Sequence, residues 1–345
     1  MLKIRFIFYK ISNWEFWNSS LVLFVPSVYF IYLAIKAKSV GFFSASNPSI
    51  KNGGFAMESK KDIYDLIPKE YYPKSLFFNA NQDLTSVHTD LFLNNLHFPI
   101  IIKPDIGLQG IRVEKINNIV ELDRYLKSAN YDFIIQEYID YLNEIGIFYC
   151  KYPNENKGIL TGIVLKEYPT VVGDGMRTIR ELISDDFRLY MHLKSFETNL
   201  GNKLELILKN GEQFNLTTIG NHARGSKFLD VSSLINKKLT NRINAICSQI
   251  PNFYFGRIDL KYNTIEELEA GQNFSIIELN GAASLPTHIY DPKHSLLFAW
   301  KEIIKHYKKM YQISSINHQQ GTPYLSFEEV ILMFKGHLKH LNLLK

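Results

Sequence analysis

Apolar residues recur with period two over short runs and at three- and four-residue steps over longer ones, and the two patterns take turns along most of the chain. The short runs Ser75–Phe78, Ile100–Lys103, Phe133–Glu137, Ile145–Tyr152, Gly158–Lys166, Tyr254–Tyr262 and Phe274–Asn280 predict strands. Amphipathic stretches at Val87–Leu96, Asn118–Ser128, Thr178–Ile183, Val231–Ile250, Lys293–Tyr311 and Ser326–Leu344 predict helices. On the last, Phe327, Val330, Ile331, Phe334, Leu338 and Leu341 form one stripe, expected to pack on the core. Several links between strands in the second half are too short for helical crossovers. The expectation is therefore an α+β fold with mostly antiparallel strands there.

Residues 1–57 break this rhythm. Between Glu15 and Lys36 run twenty uncharged residues, FWNSSLVLFVPSVYFIYLAI. Lys3, Arg5 and Lys10 precede them, Lys36, Lys38 and Lys51 follow, and Trp14, Trp17, Tyr29 and Tyr32 stand near the ends. That composition predicts attachment to a membrane through residues 16–35, spanning it or lying on it. The alternative is a buried helix pair broken at Pro26. Residues 39–57, rich in Gly, Ser, Asn and Pro, predict a boundary loop.

Composition narrows the class. The chain has 345 residues, 46% hydrophobic and 21% charged, enough for a sizeable core. Its net charge of +5 suits an anionic ligand or an anionic membrane surface. No Lys/Arg run or zinc-finger spacing points to nucleic acid. Cys150 and Cys247, alone and 97 residues apart, give no disulfide framework and predict a reducing compartment, the cytoplasm.

Two strands carry polar groups where a core strand should be apolar. Arg257 and Asp259 share one face of their strand, and Glu278 and Asn280 share one face of theirs. If the strands pair, the four groups converge. Two carboxylates and an amide oxygen are hard ligands of the kind Mg²⁺ takes beside phosphates. An adjacent Arg would face charge developing on a transferred group. The alternative is a pair of half-exposed strands with outward-facing charges. Upstream, Lys103 ends an apolar strand and a turn with Gly107 and Gly110 follows, which suits phosphate but is weak alone. A second strand ends at Gln136-Glu137-Tyr138-Ile139, and Glu144 comes seven residues after Glu137.

In this order these residues resemble the ATP-grasp superfamily over about residues 58–312. GRIDLKY and FSIIELNGAASLPTHIYDP are similar to the D-alanine–D-alanine ligase branch. VVGDGMRTIRELI resembles a segment of cyanophycin synthetase and of the glutathione-forming ligases. The resemblance implies an ATP-grasp fold, two α+β subdomains clamping ATP, with an apolar N-terminal segment in place of a full N-terminal domain. It divides the chain at 1–57, 58–140, 141–312 and 313–345. It implies ATP phosphate contacts from Lys103 and Lys60, with Lys61 an equal contender, and a flexible loop at Gly107 and Gly110. Gln136, Glu137, Tyr138 and Ile139 become the adenine hinge and Glu144 the ribose carboxylate. Asp259, Glu278 and Asn280 become the ligands of two Mg²⁺ ions, and Arg257 the catalytic arginine beside Lys103. Asp174, Gly175, Arg177, Asn221, His222, Arg224 and Ser284 fall on the substrate side.

The implied activity is ATP-dependent carboxylate–amine ligation through an acyl phosphate, on an amino acid or peptide. His222 and His288 are possible proton carriers. A phosphotransferase of the same fold and a membrane-associated ATP-binding protein are the alternatives. The apolar segment in place of a substrate domain, and Ser284 where the D-alanine branch has glycine, leave the substrate unnamed.

Overall fold

Four short strands rich in Ile and Phe build the first of two large sheets in this computed structural model. The structure describes residues 2–107 and 110–344. Leu108 and Gln109, between the two loop glycines, lie outside the described residues, as do the side chains of residues 2–5, Lys3 and Arg5 among them. Strands β1 (Ser75–Phe78), β2 (Ile100–Pro104), β3 (Glu114–Ile116) and β4 (Phe133–Glu137) pair antiparallel in the order β1-β4-β2-β3. Alternation sends Ile100, Ile102, Phe133 and Ile135 into a core under the helices Leu84–Leu93 and Ile119–Leu126. It leaves Lys103 and Gln136 on the other face.

The second sheet runs β11-β10-β5-β6-β9, all antiparallel, from β5 (Asn143–Cys150), β6 (Ile159–Glu167), β9 (Lys227–Asp230), β10 (Phe255–Tyr262) and β11 (Phe274–Asn280). Strands β7 (Thr170–Val172) and β8 (Gln213–Asn215) pair apart from it. Ile145, Ile147, Ile258, Leu260 and Ile276 face the helix Lys237–Cys247, which contributes Leu239, Ile243 and Ile246. Burying each such side chain contributes about 1.5–3 kcal/mol. The period of two then forces Glu144 and Gly146, and Arg257, Asp259 and Lys261, onto the opposite face. The α+β class and the antiparallel pairing hold. Strands β3, β7, β8 and β9 are additions to the expected set. The helix expected from Val231 begins only at Lys237, because Asn236 caps it by accepting from Leu239 N.

The apolar segment forms the helices Leu2–Ser12 and Ser19–Ala37. The second runs unbroken through Pro26, with one face packed on the helix Leu296–Gln319. Proline has no N–H to offer the Val22 carbonyl one turn back. Trp300 Nε1 donates to that carbonyl instead, at 2.7 Å. Trp14 is turned inward, not held at an interface: it stacks on Tyr290 and donates to the His294 carbonyl at 2.8 Å. By length and composition Ser19–Ala37 is apolar enough to cross a membrane, and one of its sides is fixed to a helix with exposed Lys301, Lys305 and Lys308.

Residues 39–57 have the composition of a loop but much of the burial of a core. Phe42 and Phe43 pack with Leu33, Phe148, Phe255 and Met310, and Ala45 is fully buried. Buried Asn47 clips the segment to β10, with Oδ1 accepting from Tyr254 N and Phe255 N and Nδ2 donating to Phe255 O and Gly53 O. Ala282 N and Ala283 N donate to Gly53 O and Gly54 O. A Cβ on Gly54 would stand 2.6 Å from Gly281 Cα, so glycine is required there.

The last helix, Phe327–Leu344, buries Val330, Met333 and Leu344, while Phe327, Phe334 and Leu338 stay exposed. The expected stripe was therefore misplaced. The packed side reaches from the core around Phe42, Phe43 and Met310 to the first sheet and carries His337 and His340 over the cleft between the sheets.

Candidate functional site

The two sheets and the last helix enclose a cleft of about 680 Å³. Its floor is the polar face of β10 and β11. Asp259 lies opposite Glu278 and Arg257 opposite Asn280, so the pairing brings all four groups to one patch. The register slips after Asp259, and the bulge frees the Ile277 carbonyl from the ladder. Tyr64 Oη donates to it at 2.7 Å and Lys103 Nζ at 3.2 Å. That bulge is what ties the end of β2 to the second sheet.

Charges on this floor are interleaved. Arg257 grips Asp259 through Nε at 2.6 Å and an Nη at 2.9 Å. Lys166 Nζ lies 2.7 Å from Glu144 and 3.2 Å from Asp259. Tyr168 Oη donates to the other Glu144 oxygen. Burial alone would raise Asp259, but Arg257 and Lys166 outweigh it and hold the carboxyl at about 2. For Lys166, burial pulls downward and the two carboxylates overcompensate, so it stays charged. Lys103 has no such partner, and burial pushes it down to about 8.

Gly146, the cross-strand partner of Asp259, makes room for this arrangement. A Cβ there would come within 2.7 Å of Asp259 Oδ1. Gly220 does the same for Glu144, at 2.6 Å.

Lys60, Lys103, Gly107, Gly110, Gln136, Glu137, Tyr138, Ile139, Glu144, Arg257, Asp259, Glu278 and Asn280 all line the cleft, as do Asn221, His222 and Ser284. Between the two lysine contenders the geometry is clear. Lys60 Nζ faces the cleft and donates to the Asp105 carbonyl at 3.3 Å, whereas Lys61 pairs with Asp65 on the surface. Asp174, Gly175 and Arg177 do not line it. They form an exposed turn in which Arg177 binds Asp174 and Asp185. Arg224 also misses the cleft and instead donates to the Gly110 and Val113 carbonyls, holding the glycine loop. His288 is buried beside Glu302 and His306, a core histidine. His222 is held by Glu15, which also binds Arg188, so the N-terminal segment forms one wall of the cleft.

Several cleft residues escaped the sequence reading. Lys261 is two positions beyond Asp259 on the same face and donates to the Ile139 carbonyl at 3.0 Å. The period that picked out Arg257 and Asp259 extends to it. Lys166, a charge near the end of an apolar strand, carried the same signal. Glu58 lines the cleft beside Lys60, and burial raises its pKa.

A divalent cation is implied by the resemblance, and the donors fit one. Among the described residues neither Glu278 nor Asn280 has a side-chain hydrogen-bond partner, and Asn280 Nδ2 is buried. Asp259 keeps a lone pair beyond its three contacts. No cluster of three or more His, Cys, Asp or Glu gathers among the described residues. Such an ion would complete its shell with water or phosphate oxygens, as Mg²⁺ commonly does.

No family model matches the chain, and no curated protein does. Solved structures with a similar arrangement include a bifunctional glutathione synthetase from Pasteurella multocida, 14% identical over 74% of this chain and 38% of that one, with a TM-score of 0.38. The VanG D-Ala:D-Ser ligase from Enterococcus faecalis is 17% identical over 72% and 61%, at 0.41. D-alanine–D-alanine ligase from Bacillus anthracis is 15% identical over 76% and 69%, at 0.44. The chain spans 38% and 61% of the length of the first two. Likenesses this loose carry neither a residue role nor a substrate.

Proposed function

We propose that this chain is an ATP-dependent ligase that joins a carboxylate to an amine, with an amino acid or peptide as substrate. The observation that supports it most is the cross-strand pairing Asp259–Glu278 and Arg257–Asn280, facing Lys103 and Lys60 in one cleft. In this reading the backbone of Gln136–Ile139 meets the adenine edge, and Glu144 uses its unspent lone pairs for ribose hydroxyls. Lys60, Lys103 and the Gly107–Gly110 loop hold the phosphates. Asp259, Glu278 and Asn280 would hold Mg²⁺, which offsets phosphate charge.

A substrate carboxylate oxygen attacks the γ-phosphorus, the bond to the ADP oxygen breaks, and ADP is released from an acyl phosphate. The amine attacks the acyl carbon and inorganic phosphate leaves. Arg257, fixed in plane by its two bonds to Asp259, has three further N–H groups to offer the oxyanion. Asn221, His222 and Ser284 line the substrate end. The reading places the protein in the cytoplasm, at the inner face of a membrane. Its two buried, unpaired thiols suit that compartment.

Purified protein with ATP and Mg²⁺ should release ADP only with the right pair from a panel of D- and L-amino acids and short peptides, and yield an amide. Asp259→Ala should abolish release. Full ADP release by that variant would reject the metal assignment, and a phosphorylated product without amide would reject ligation.

A further inference from the structure

The net charge of +5 is not spread over the molecule. Residues 1–57 hold six of the 39 basic residues and one of the 34 acidic ones, so the other 288 residues balance at 33 of each. The one acid, Glu15, is buried against Arg188 and His222 and shows no charge to solvent. The charge this segment presents outward is basic only.

The apolar part is ordered. Leu21, Phe24, Val28, Ile31 and Ile35 recur at three- and four-residue steps along Ser19–Ala37, and each is more than half exposed. The opposite side, Val22, Pro26 and Leu33, is the buried one. Ile7, Phe8 and Ile11 are exposed on the preceding helix. An apolar strip of this length on a protein otherwise balanced in charge marks an interaction face. Exposed Lys10 lies before it, and exposed Lys36 and Lys38 close its far end. Two copies meeting along this strip would bring only basic ends together, whereas an anionic surface would attract them.

We propose that this strip is a lipid-docking face. The helix Ser19–Ala37 lies in the plane of an anionic phospholipid surface, with Leu21, Phe24, Val28, Ile31 and Ile35 at the acyl boundary and Lys10, Lys36 and Lys38 among the headgroups. The body of the protein, held through Val22, Pro26 and Trp300, stays in water. This attachment needs neither ATP nor turnover, so it stands or falls apart from the ligase reading.

The test is co-sedimentation of the full chain with vesicles of phosphatidylcholine alone, or mixed with phosphatidylglycerol. Binding should favour the mixed vesicles, weaken as salt rises, and fall by about tenfold or more in a Phe24→Glu/Ile31→Glu variant. Lys36→Glu/Lys38→Glu should remove the preference for phosphatidylglycerol. Unchanged near-ultraviolet circular dichroism would show that each variant is folded. Equal binding to both vesicle types, no binding, or full binding by Phe24→Glu/Ile31→Glu would overturn the proposal. So would a dimer at sedimentation equilibrium that the same variant dissolves.

Discussion

Nucleotide affinity should fall as pH rises through the range in which Lys103 loses its proton. Lys103 is 7% exposed, and Nζ donates to Tyr64 Oη at 3.1 Å and to the Ile277 carbonyl at 3.2 Å. Neither acceptor is charged, so burial dominates and brings the ammonium down to about 8, with Glu278 opposing only in part. Such a group is about nine-tenths charged at pH 7 and one-tenth charged at pH 9, so a polyphosphate that needs the ammonium loses roughly tenfold in affinity across that interval. Stability moves the other way. The unfolded chain holds this proton to a higher pH than the folded one, so unfolding takes up a proton and stability rises with pH. The desolvation penalty is full below pH 8, and its relief between pH 7 and 9.5 is worth about 2 kcal/mol.

Calorimetric titration with a non-hydrolysable ATP analogue, and urea unfolding, at pH 7, 8, 9 and 9.5 would measure both slopes. Lys103→Arg is the control, because a guanidinium keeps its charge throughout. The difference between wild type and variant should carry the whole effect. If both lose affinity in parallel, or if neither slope differs, the argument from burial is wrong.

Three further outcomes follow from the same geometry. Gly146→Ala should cost about 1–3 kcal/mol in thermal unfolding. It should cost roughly hundredfold in ADP release, because its Cβ displaces Asp259 Oδ1 from 2.7 Å away. Lys166→Met should cost about 3–5 kcal/mol in urea unfolding, since Asp259 and Glu144 lose a shared buried cation. Trp300→Phe should cost about 1–3 kcal/mol by stranding the Val22 carbonyl. Pro26→Ala restores a backbone N–H at that turn, so the double variant should recover part of the loss.

The strands that build the cleft floor were legible because one physical rule governed them. Burying Ile258 and Leu260 on one face obliges Arg257 and Asp259 to share the other, and the same holds around Glu278 and Asn280. Lys261 obeys that rule and could have been read the same way. Other features depend on contacts between distant segments. Asn47 is an ordinary loop residue until Tyr254 and Phe255, at the start of β10, supply three of its four hydrogen bonds. The Asp174–Arg177 turn resembles a ligase segment in its residues, yet its charges are spent on each other and on Asp185. In the last helix apolar side chains occur nearly all round, so periodicity could not tell the face over the cleft from the face in solvent.

The C-terminal helix has a consequence for biogenesis. Leu344 fills the same core as Ile100, Ile102 and Phe133, and its carbonyl accepts from Arg112 Nε at 3.2 Å. It lies 207 positions after Glu137, the last residue of the first sheet. At ordinary translation speeds that separation is roughly ten to forty seconds of synthesis. Throughout that interval the half-protein carrying Lys103 stands on the ribosome without Leu344, with one side of its core unsealed.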